Sequence, residues 1–150
     1  MSEEKAIPLI TFANNGKLEF NPEAKNVLKK IDGPISVIGV AGKYRTGKSY
    51  LLNQVILNKN EGFGVGGTIN SCTKGIWMWN KCLKGTSPDG KIVNVIILDS
   101  EGLGAIDVDA NHDSRVFTLV MLISSYFIFN SLGSIDEESL ENLNMIGNLS

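Results

Sequence analysis

Apolar residues recur with two different periods, and the two periods alternate along the chain. Short β-branched or aromatic runs predict strands at residues 8–12, 17–20, 35–40, 75–82, 91–98 and 126–130. Apolar positions at helical spacing predict helices at residues 50–57, 111–123 and 134–148, and cap residues predict another at 22–30. Strands that alternate with helices are typical of an α/β domain, so we expect a sheet flanked by helices.

Turn and cap residues sharpen several of these boundaries. Asn15-Gly16 predicts the turn of an N-terminal hairpin. Asn21 predicts the cap of the first helix, because Pro22 follows it at the first helical position. A turn at residues 85–90 separates the fourth and fifth strands, so we expect these two strands to be antiparallel neighbours.

The predicted elements fall into three consecutive segments of one domain. Residues 7–33 form the hairpin and first helix, residues 35–110 carry the candidate chemistry, and residues 111–150 form a helix, a strand and a second helix. Asn111 or Asp113 is expected to cap the helix that opens the last segment. No second domain is predicted.

Composition narrows the class of protein. The chain has 150 residues, 43% of them hydrophobic and 20% charged, which is typical of one soluble globular domain. Its net charge of −2 lacks the basic surplus that a nucleic-acid polymer requires as a partner. The longest apolar block, residues 116–123, is too short for a transmembrane segment. Cys72 and Cys82 lack metal-site spacing, which favours reduced thiols and a cytoplasmic location.

Residues 42–49 read Gly-Lys-Tyr-Arg-Thr-Gly-Lys-Ser and fit the phosphate-binding pattern G-x-x-x-x-G-K-[ST]. The pattern is informative here because a predicted buried strand enters it and a predicted helix leaves it. Gly42 and Gly47 permit positive φ and close approach of the backbone to phosphate. This setting predicts a mixed, mostly parallel sheet of the P-loop NTPase type. It outweighs the alternative, a glycine-rich turn with a solvated lysine.

Each part of this P-loop has a chemical reason to bind a nucleotide. We expect the N–H groups of residues 44–49 to form a concave nest at the start of the next helix. Lys48 is expected to contact the β- and γ-phosphates, and the Ser49 hydroxyl to bind Mg²⁺. The predicted nucleotide-binding residues are Lys43, Tyr44, Arg45, Thr46, Gly47, Lys48, Ser49, Tyr50 and, from a second loop, Gly102.

That second loop begins at Asp99, directly after the predicted strand at residues 91–98. Ligands of α/β sheets bind at the carboxyl ends of strands, and a carboxylate in this place holds Mg²⁺ in P-loop NTPases. We therefore assign Asp99 to the metal and expect the Gly102 N–H to turn toward a γ-phosphate. Glu101 is a candidate for orienting water or relaying its proton, with an exposed, solvated glutamate as the alternative.

Hydroxyl residues between the two loops supply a further candidate metal ligand. Thr68, Ser71 and Thr73 compete for this role on chemistry alone. Serine and threonine also crowd into loops for reasons unrelated to metals, so residue type does not choose among them.

Together these motifs resemble the guanylate-binding protein family of large, dynamin-related GTPases. The likeness rests on residues 42–53, on Ser-Cys-Thr-Lys-Gly-Ile-Trp-Met-Trp at 71–79, and on Leu-Asp-Ser-Glu-Gly-Leu-Gly at 98–104. It covers roughly residues 7–150, and the related atlastins share the architecture.

The resemblance implies an enzyme that binds GTP as its substrate and cleaves the terminal phosphate with Mg²⁺. It implies that Arg45 acts in cis as an arginine finger, that Thr73 binds Mg²⁺, that Ser71 positions the attacking water and that Glu101 joins the proton relay. The implied metal ligands are then Ser49, Thr73 and Asp99. It also implies that two G domains pair across bound GTP as a homodimer, and some family members cleave GTP onward to GMP.

The chain departs from the family pattern toward its C-terminal side. The family reads guanine with an Arg-Asp pair on a later strand, and this sequence contains no Arg-Asp dipeptide. We expect a partial G domain, with P-loop and switch regions at 35–110 and a sheet that is incomplete at its C-terminal side. Two alternatives follow: a truncated nucleotide-binding or interaction module without turnover, and an ATPase of the same loop class.

Overall fold

The computed structural model describes residues 3–13, 15–64, 75–103 and 110–135, with positions 137, 140, 141, 143 and 144. Its strands are β1 (Ala6–Phe12), β2 (Leu18–Phe20), β3 (Ile35–Gly42), β4 (Ile76–Trp79), β5 (Leu83–Thr86), β6 (Ile92–Ser100) and β7 (Tyr126–Asn130). Its helices are α1 (Pro22–Leu28), α2 (Lys48–Leu51), which continues as a π-helical segment (Leu52–Ile56), and α3 (Ala110–Ile123). Most of the helix predicted at 134–148 lies outside the described residues.

These strands form one mixed sheet in the order β2-β1-β4-β6-β3-β7, and β5 pairs with the other half of β6. The predicted α/β architecture is confirmed. Two of the six strand pairings among the described residues are parallel, β6 with β3 and β3 with β7, which is less than the sequence predicts. The other four pairings are antiparallel, and two of them, β1 with β2 and β5 with β6, join strands that are linked by short connections.

The N-terminal hairpin and α1 form where the sequence predicts them. The Asn21 side chain accepts hydrogen bonds from the N–H groups of Glu23 and Ala24 at 2.8 and 3.3 Å. Pro22 occupies the first helical position, where its missing N–H costs nothing. The predicted cap of α1 is therefore confirmed.

Two other boundaries are wrong in the prediction. α3 begins at Ala110, so Asn111 and Asp113 lie inside its first turn and neither caps it. The predicted strand at 75–82 ends at Trp79, and β5 occupies part of the predicted turn. β6 is nine residues long, and β4 pairs only with its last part, so its first part takes a second partner in β5.

Apolar side chains cover both faces of the sheet. Within β6, Ile96 and Leu98 pack toward the face that α1 and α3 cover, where Val120 is fully buried. Ile97 lies between them and points to the opposite face, where it packs with Leu52 of the π-helical segment. Alternation along this strand thus fills two cores and gives three layers.

The parallel strands bring three chain segments to one edge of the sheet. Asp99 lies opposite Val40 in the β3–β6 register, and Asn130 lies opposite Gly42 in the β3–β7 register. The loop after β3 and the residues after β6 therefore meet there. Within the described part of the chain, no helix has both the length and the apolar character needed to span a membrane.

Candidate functional site

The P-loop leaves β3 with a backbone that its glycines make possible. Gly47 has φ of 85°, and Gly42 has φ of 152° with so little space that an added Cβ would lie 2.0 Å from the Asn130 carbonyl oxygen. The positive φ predicted for both glycines is confirmed. Arg45 also adopts a left-handed φ of 60°, which costs a residue with a side chain about 1–2 kcal/mol.

Lys48 at the start of α2 is a buried ammonium group. Its side chain is 6% exposed, and its Nζ donates a hydrogen bond to the Lys43 carbonyl oxygen at 3.0 Å. Burial lowers the pKa of Lys48, and the Asp99 carboxylate partly opposes that shift. Because burial disfavours the charge, an anion bound beside this group would gain a strong charge-assisted partner.

Ser49 and Asp99 join the two candidate loops directly. The Ser49 hydroxyl donates a hydrogen bond of 2.6 Å to Oδ2 of Asp99, whose side chain is fully buried. A hydroxyl and a carboxylate are the hard oxygen ligands that Mg²⁺ prefers, so their chemistry fits that ion. Within the described residues, no group of three or more His, Cys, Asp and Glu side chains forms another candidate metal centre.

The segment after β6 is docked against the P-loop. The Tyr44 N–H donates to the Leu103 carbonyl at 2.8 Å, and the Leu103 N–H donates to the Gly42 carbonyl at 3.0 Å. A Cβ built on Gly102 would lie 2.3 Å from the Tyr44 Cα and 3.0 Å from the Lys48 Nζ. Gly102 therefore lies against the Lys48 ammonium group, which the motif predicts to contact the phosphates. The segment after β6 and the P-loop thus meet at this group.

Glu101 is buried, which excludes the alternative of an exposed, solvated glutamate. Its side chain is 5% exposed, and its Oε1 contacts Nε2 of His112 from α3. The His112 ring lies on Phe12 with 4.0 Å between ring centroids. The contact of His112 with Glu101 depends on α3 packing beside the end of β6, which no local sequence pattern encodes.

Two predicted binding side chains point outward, and two others are not described. Arg45 is exposed, with its guanidinium 5.8 Å from the centroid of the neighbouring Tyr44 ring. Tyr50 is 61% exposed at the start of α2. Ser71 and Thr73, together with their competitor Thr68, lie outside the described residues.

Asn130, at the end of β7, contacts the P-loop although the sequence offers no motif for it. Its Nδ2 donates to the carbonyl oxygen of Thr46 at 2.8 Å. The only local signal is an asparagine at the end of a predicted buried strand, which becomes informative once that strand is placed next to β3.

The geometry agrees with similarities to known proteins. Residues 15–150 match the family model described as guanylate-binding protein, N-terminal domain. The chain is 44% identical to human guanylate-binding protein 1 over 130 residues, 42% identical to that of Chlorocebus aethiops over 136, and 43% identical to human guanylate-binding protein 7 over 141. These alignments cover 86%, 90% and 93% of this chain and 21%, 22% and 21% of the relatives.

The chain therefore spans about a fifth of the length of these relatives. The family model, by contrast, matches all but the first fourteen of its 150 residues. On that match, this protein belongs to the guanylate-binding protein family and corresponds to part of the family's N-terminal domain.

Proposed function

We propose that this chain binds GTP at the P-loop and hydrolyses its terminal phosphoanhydride bond. The observation that carries the proposal is the junction of the two loops, where the buried Lys48 ammonium lies beside Gly102 and the Ser49 hydroxyl bonds to Asp99. A cation and a hydroxyl at the start of α2, with a carboxylate from the adjacent strand β6, match the demands of a magnesium-bound triphosphate. The similarity to guanylate-binding proteins supports guanine as the base.

The phosphates would be bound mainly by the backbone of residues 45–49. Because the Tyr44 N–H donates to the Leu103 carbonyl, we place the start of the proposed nest at residue 45, one residue later than the motif alone predicts. Lys48 would exchange its hydrogen bond to the Lys43 carbonyl for the β- and γ-phosphate oxygens. The Gly102 N–H would face the γ-phosphate from the other loop.

The residues that would hold Mg²⁺ are Ser49 and Asp99, with Thr73 added by the family resemblance. When bound, this ion supplies charge neutralisation at the phosphates. The protein's own contribution is positional, because Asp99 is fixed within β6 and Ser49 within α2. Their hydrogen bond holds the two oxygens 2.6 Å apart.

Hydrolysis requires an oriented water and a cation at the developing charge. Glu101 is buried and held by contact with His112, which suits a group that orients water or relays its proton. Ser71 is proposed to position that water. Arg45 is proposed to leave the Tyr44 ring and stabilise the transition state in cis. Nucleotide-dependent pairing of two such domains and a cytoplasmic location belong to the same proposal.

Phosphate release from GTP and from ATP, each with and without Mg²⁺, tests this function. We expect release from GTP with Mg²⁺ and at least about a hundredfold loss in Lys48→Ala. Lys91→Ala, at an exposed lysine remote from the loop, is the control and should hydrolyse GTP normally. Nucleotide binding without phosphate release would favour an interaction module, and equal phosphate release from GTP and ATP would favour an ATPase. Absence of nucleotide binding would exclude all three functions: GTPase, nucleotide-binding interaction module and ATPase.

A further inference from the structure

Asn130 lies at the point where β7 reaches the P-loop. The β3–β7 register places it opposite Gly42, and the Asn130 carbonyl lies so close to Gly42 that no Cβ fits between them. Strand pairing therefore fixes the Asn130 backbone next to the first residue of the loop. Its side chain extends from that fixed position to Thr46, eighty-four residues away in sequence.

The Asn130 side chain makes two hydrogen bonds to Thr46, of which the one to the Thr46 carbonyl is the shorter. The Asn130 Nδ2 donates to the Thr46 carbonyl at 2.8 Å and also contacts the Thr46 Oγ1 at 3.2 Å. Because a carbonyl oxygen only accepts, the amide nitrogen must face it, so the orientation of the Asn130 amide follows from chemistry. Thr46 Oγ1 in turn donates to the Lys43 carbonyl at 2.9 Å, the same oxygen that Lys48 uses.

The bond to Thr46 controls the direction of the next amide. A peptide group is planar and trans, so its C=O and N–H point in opposite directions. Anchoring the Thr46 carbonyl on Asn130 therefore turns the Gly47 N–H away from β7. Gly47, with φ of 85°, has no Cβ to restrain the rotation of that peptide, so its orientation depends more strongly on an external anchor.

We propose that Asn130 is a positioning residue for nucleotide binding, which orients the Thr46–Gly47 peptide so that the Gly47 N–H faces the phosphates. This inference rests on the proposed function. It predicts that loss of the Asn130 amide weakens the affinity of each folded molecule for GDP and GTP. A purely structural role would instead lower the fraction of folded protein and leave the affinity of the folded molecules unchanged.

Asn130→Leu tests the proposal, because leucine keeps the branching of asparagine but has neither a donor nor a charge. Titration calorimetry with GDP in EDTA reports the affinity and the number of sites separately. We expect a Kd about tenfold higher with an unchanged number of sites, since one hydrogen bond is lost from a binding loop. In nuclear magnetic resonance spectra, the Gly47 amide signal should shift less on GDP addition than in the unsubstituted chain.

Asn80→Leu is the matched control, because the Asn80 amide also donates to a backbone carbonyl, that of Glu3 at 2.8 Å, away from the loop. Its Kd should stay within about twofold of the unsubstituted value. Should Asn130→Leu fail to fold, Asn130→Ala removes the same donor in a smaller side chain. Equal Kd values for the unsubstituted chain and a folded Asn130 variant would overturn the inference alone. No binding by the unsubstituted chain would overturn the proposed function and this inference with it.

Discussion

The Ser49 hydroxyl donates a hydrogen bond of 2.6 Å to the Asp99 carboxylate, although fifty residues separate the two in sequence. One belongs to the helix that leaves β3, and the other lies near the end of β6, the parallel neighbour of β3. Their contact is a consequence of topology, because parallel strands place their carboxyl ends side by side. It brings a metal-compatible pair of oxygen ligands, the half-buried Ser49 hydroxyl and the buried Asp99 carboxylate, to the P-loop.

Asp99→Asn tests the role of this pair in binding the metal. Asparagine has the same shape and can still accept the Ser49 hydrogen bond, but it lacks the charge that a divalent cation requires. We expect GDP binding in EDTA to be nearly unchanged, while the gain in GTP affinity on adding Mg²⁺ falls by at least about tenfold. Calorimetry with and without Mg²⁺ measures both quantities.

The chain contains a matched control for this substitution. Asp89 also accepts a hydrogen bond from a serine hydroxyl, that of Ser87 at 2.5 Å, in an exposed turn. Asp89→Asn should leave the magnesium-dependent gain intact. An unaltered gain in Asp99→Asn would show that the carboxylate does not help to hold the ion.

Lys48→Met should separate the stability of the chain from its function. The pKa of Lys48 is lowered by burial, so below the ordinary value of 10.5 the unfolded chain binds the proton more readily than the folded one. The free energy of unfolding should therefore fall as the pH falls from 10.5 through the lowered pKa, and be constant below it. Methionine keeps most of the apolar stem without the charge, and Thr46 still donates to the Lys43 carbonyl.

Urea denaturation without nucleotide, as a function of pH, measures this difference. At neutral pH we expect Lys48→Met to be at least as stable as the unsubstituted chain, and the two stabilities to converge toward pH 10.5. Stabilisation by added GTP should be lost in the variant. The difference in the free energy of unfolding, Lys48→Met minus the unsubstituted chain, should be larger at neutral pH than at alkaline pH. A smaller difference at neutral pH would contradict the argument.

The P-loop could be predicted from sequence because its signals are local. The spacing of Gly42, Gly47 and Lys48 predicts both the loop backbone and the position of the lysine from eight consecutive residues. Asp99 is recognisable because it directly follows a predicted hydrophobic strand. The strands other than β5, and α1, are likewise predictable, since period and caps are properties of short segments. These parts needed no knowledge of which strands are neighbours.

The contacts that were missed depend on the packing of distant segments. Asn130 reaches Thr46 only because β7 pairs with β3, and His112 reaches Glu101 only because α3 crosses the end of β6. A single sequence contains no signal for either pairing. Similarly, β5 exists because β6 is longer than its partner β4, so its pairing depends on the length of another strand.

Gly102→Ala should disturb both loops at once. The added Cβ would lie 2.3 Å from the Tyr44 Cα, a backbone atom that cannot move without breaking the hydrogen bond from the Tyr44 N–H to Leu103. We expect a loss of about 1–3 kcal/mol in the free energy of unfolding and weaker binding of GTP. Chemical denaturation and calorimetry measure the two effects.

Gly85→Ala is the control for this change. Its added Cβ would meet the end of the Val95 side chain at 2.9 Å, far from the P-loop, and that side chain can move. A smaller loss of stability and normal GTP affinity are expected. If Gly102→Ala were as mild as Gly85→Ala, the two loops would not be packed as tightly as described.

Arg45 combines an unfavourable backbone conformation with a proposed catalytic side chain. Two substitutions separate the effect of the backbone on stability from the effect of the guanidinium on hydrolysis. Its φ of 60° is unfavourable for any residue with a Cβ but not for glycine. Arg45→Gly should therefore be more stable than Arg45→Ala by about 1 kcal/mol. Both variants lack the guanidinium, so single-turnover hydrolysis of GTP should fall by about 10³-fold in each while the Kd for GTP changes little.

Comparing the two variants distinguishes the proposed finger from a solvated loop cation. If Arg45 only occupies the exposed surface beside Tyr44, both variants would hydrolyse bound GTP at the unsubstituted rate. If instead the left-handed backbone alone mattered for catalysis, Arg45→Gly would retain activity and Arg45→Ala would lose it. We expect equal losses of the hydrolysis rate in both variants and a higher free energy of unfolding in Arg45→Gly. That combination requires that the Arg45 side chain acts on the reaction, while its left-handed backbone lowers the stability of the chain.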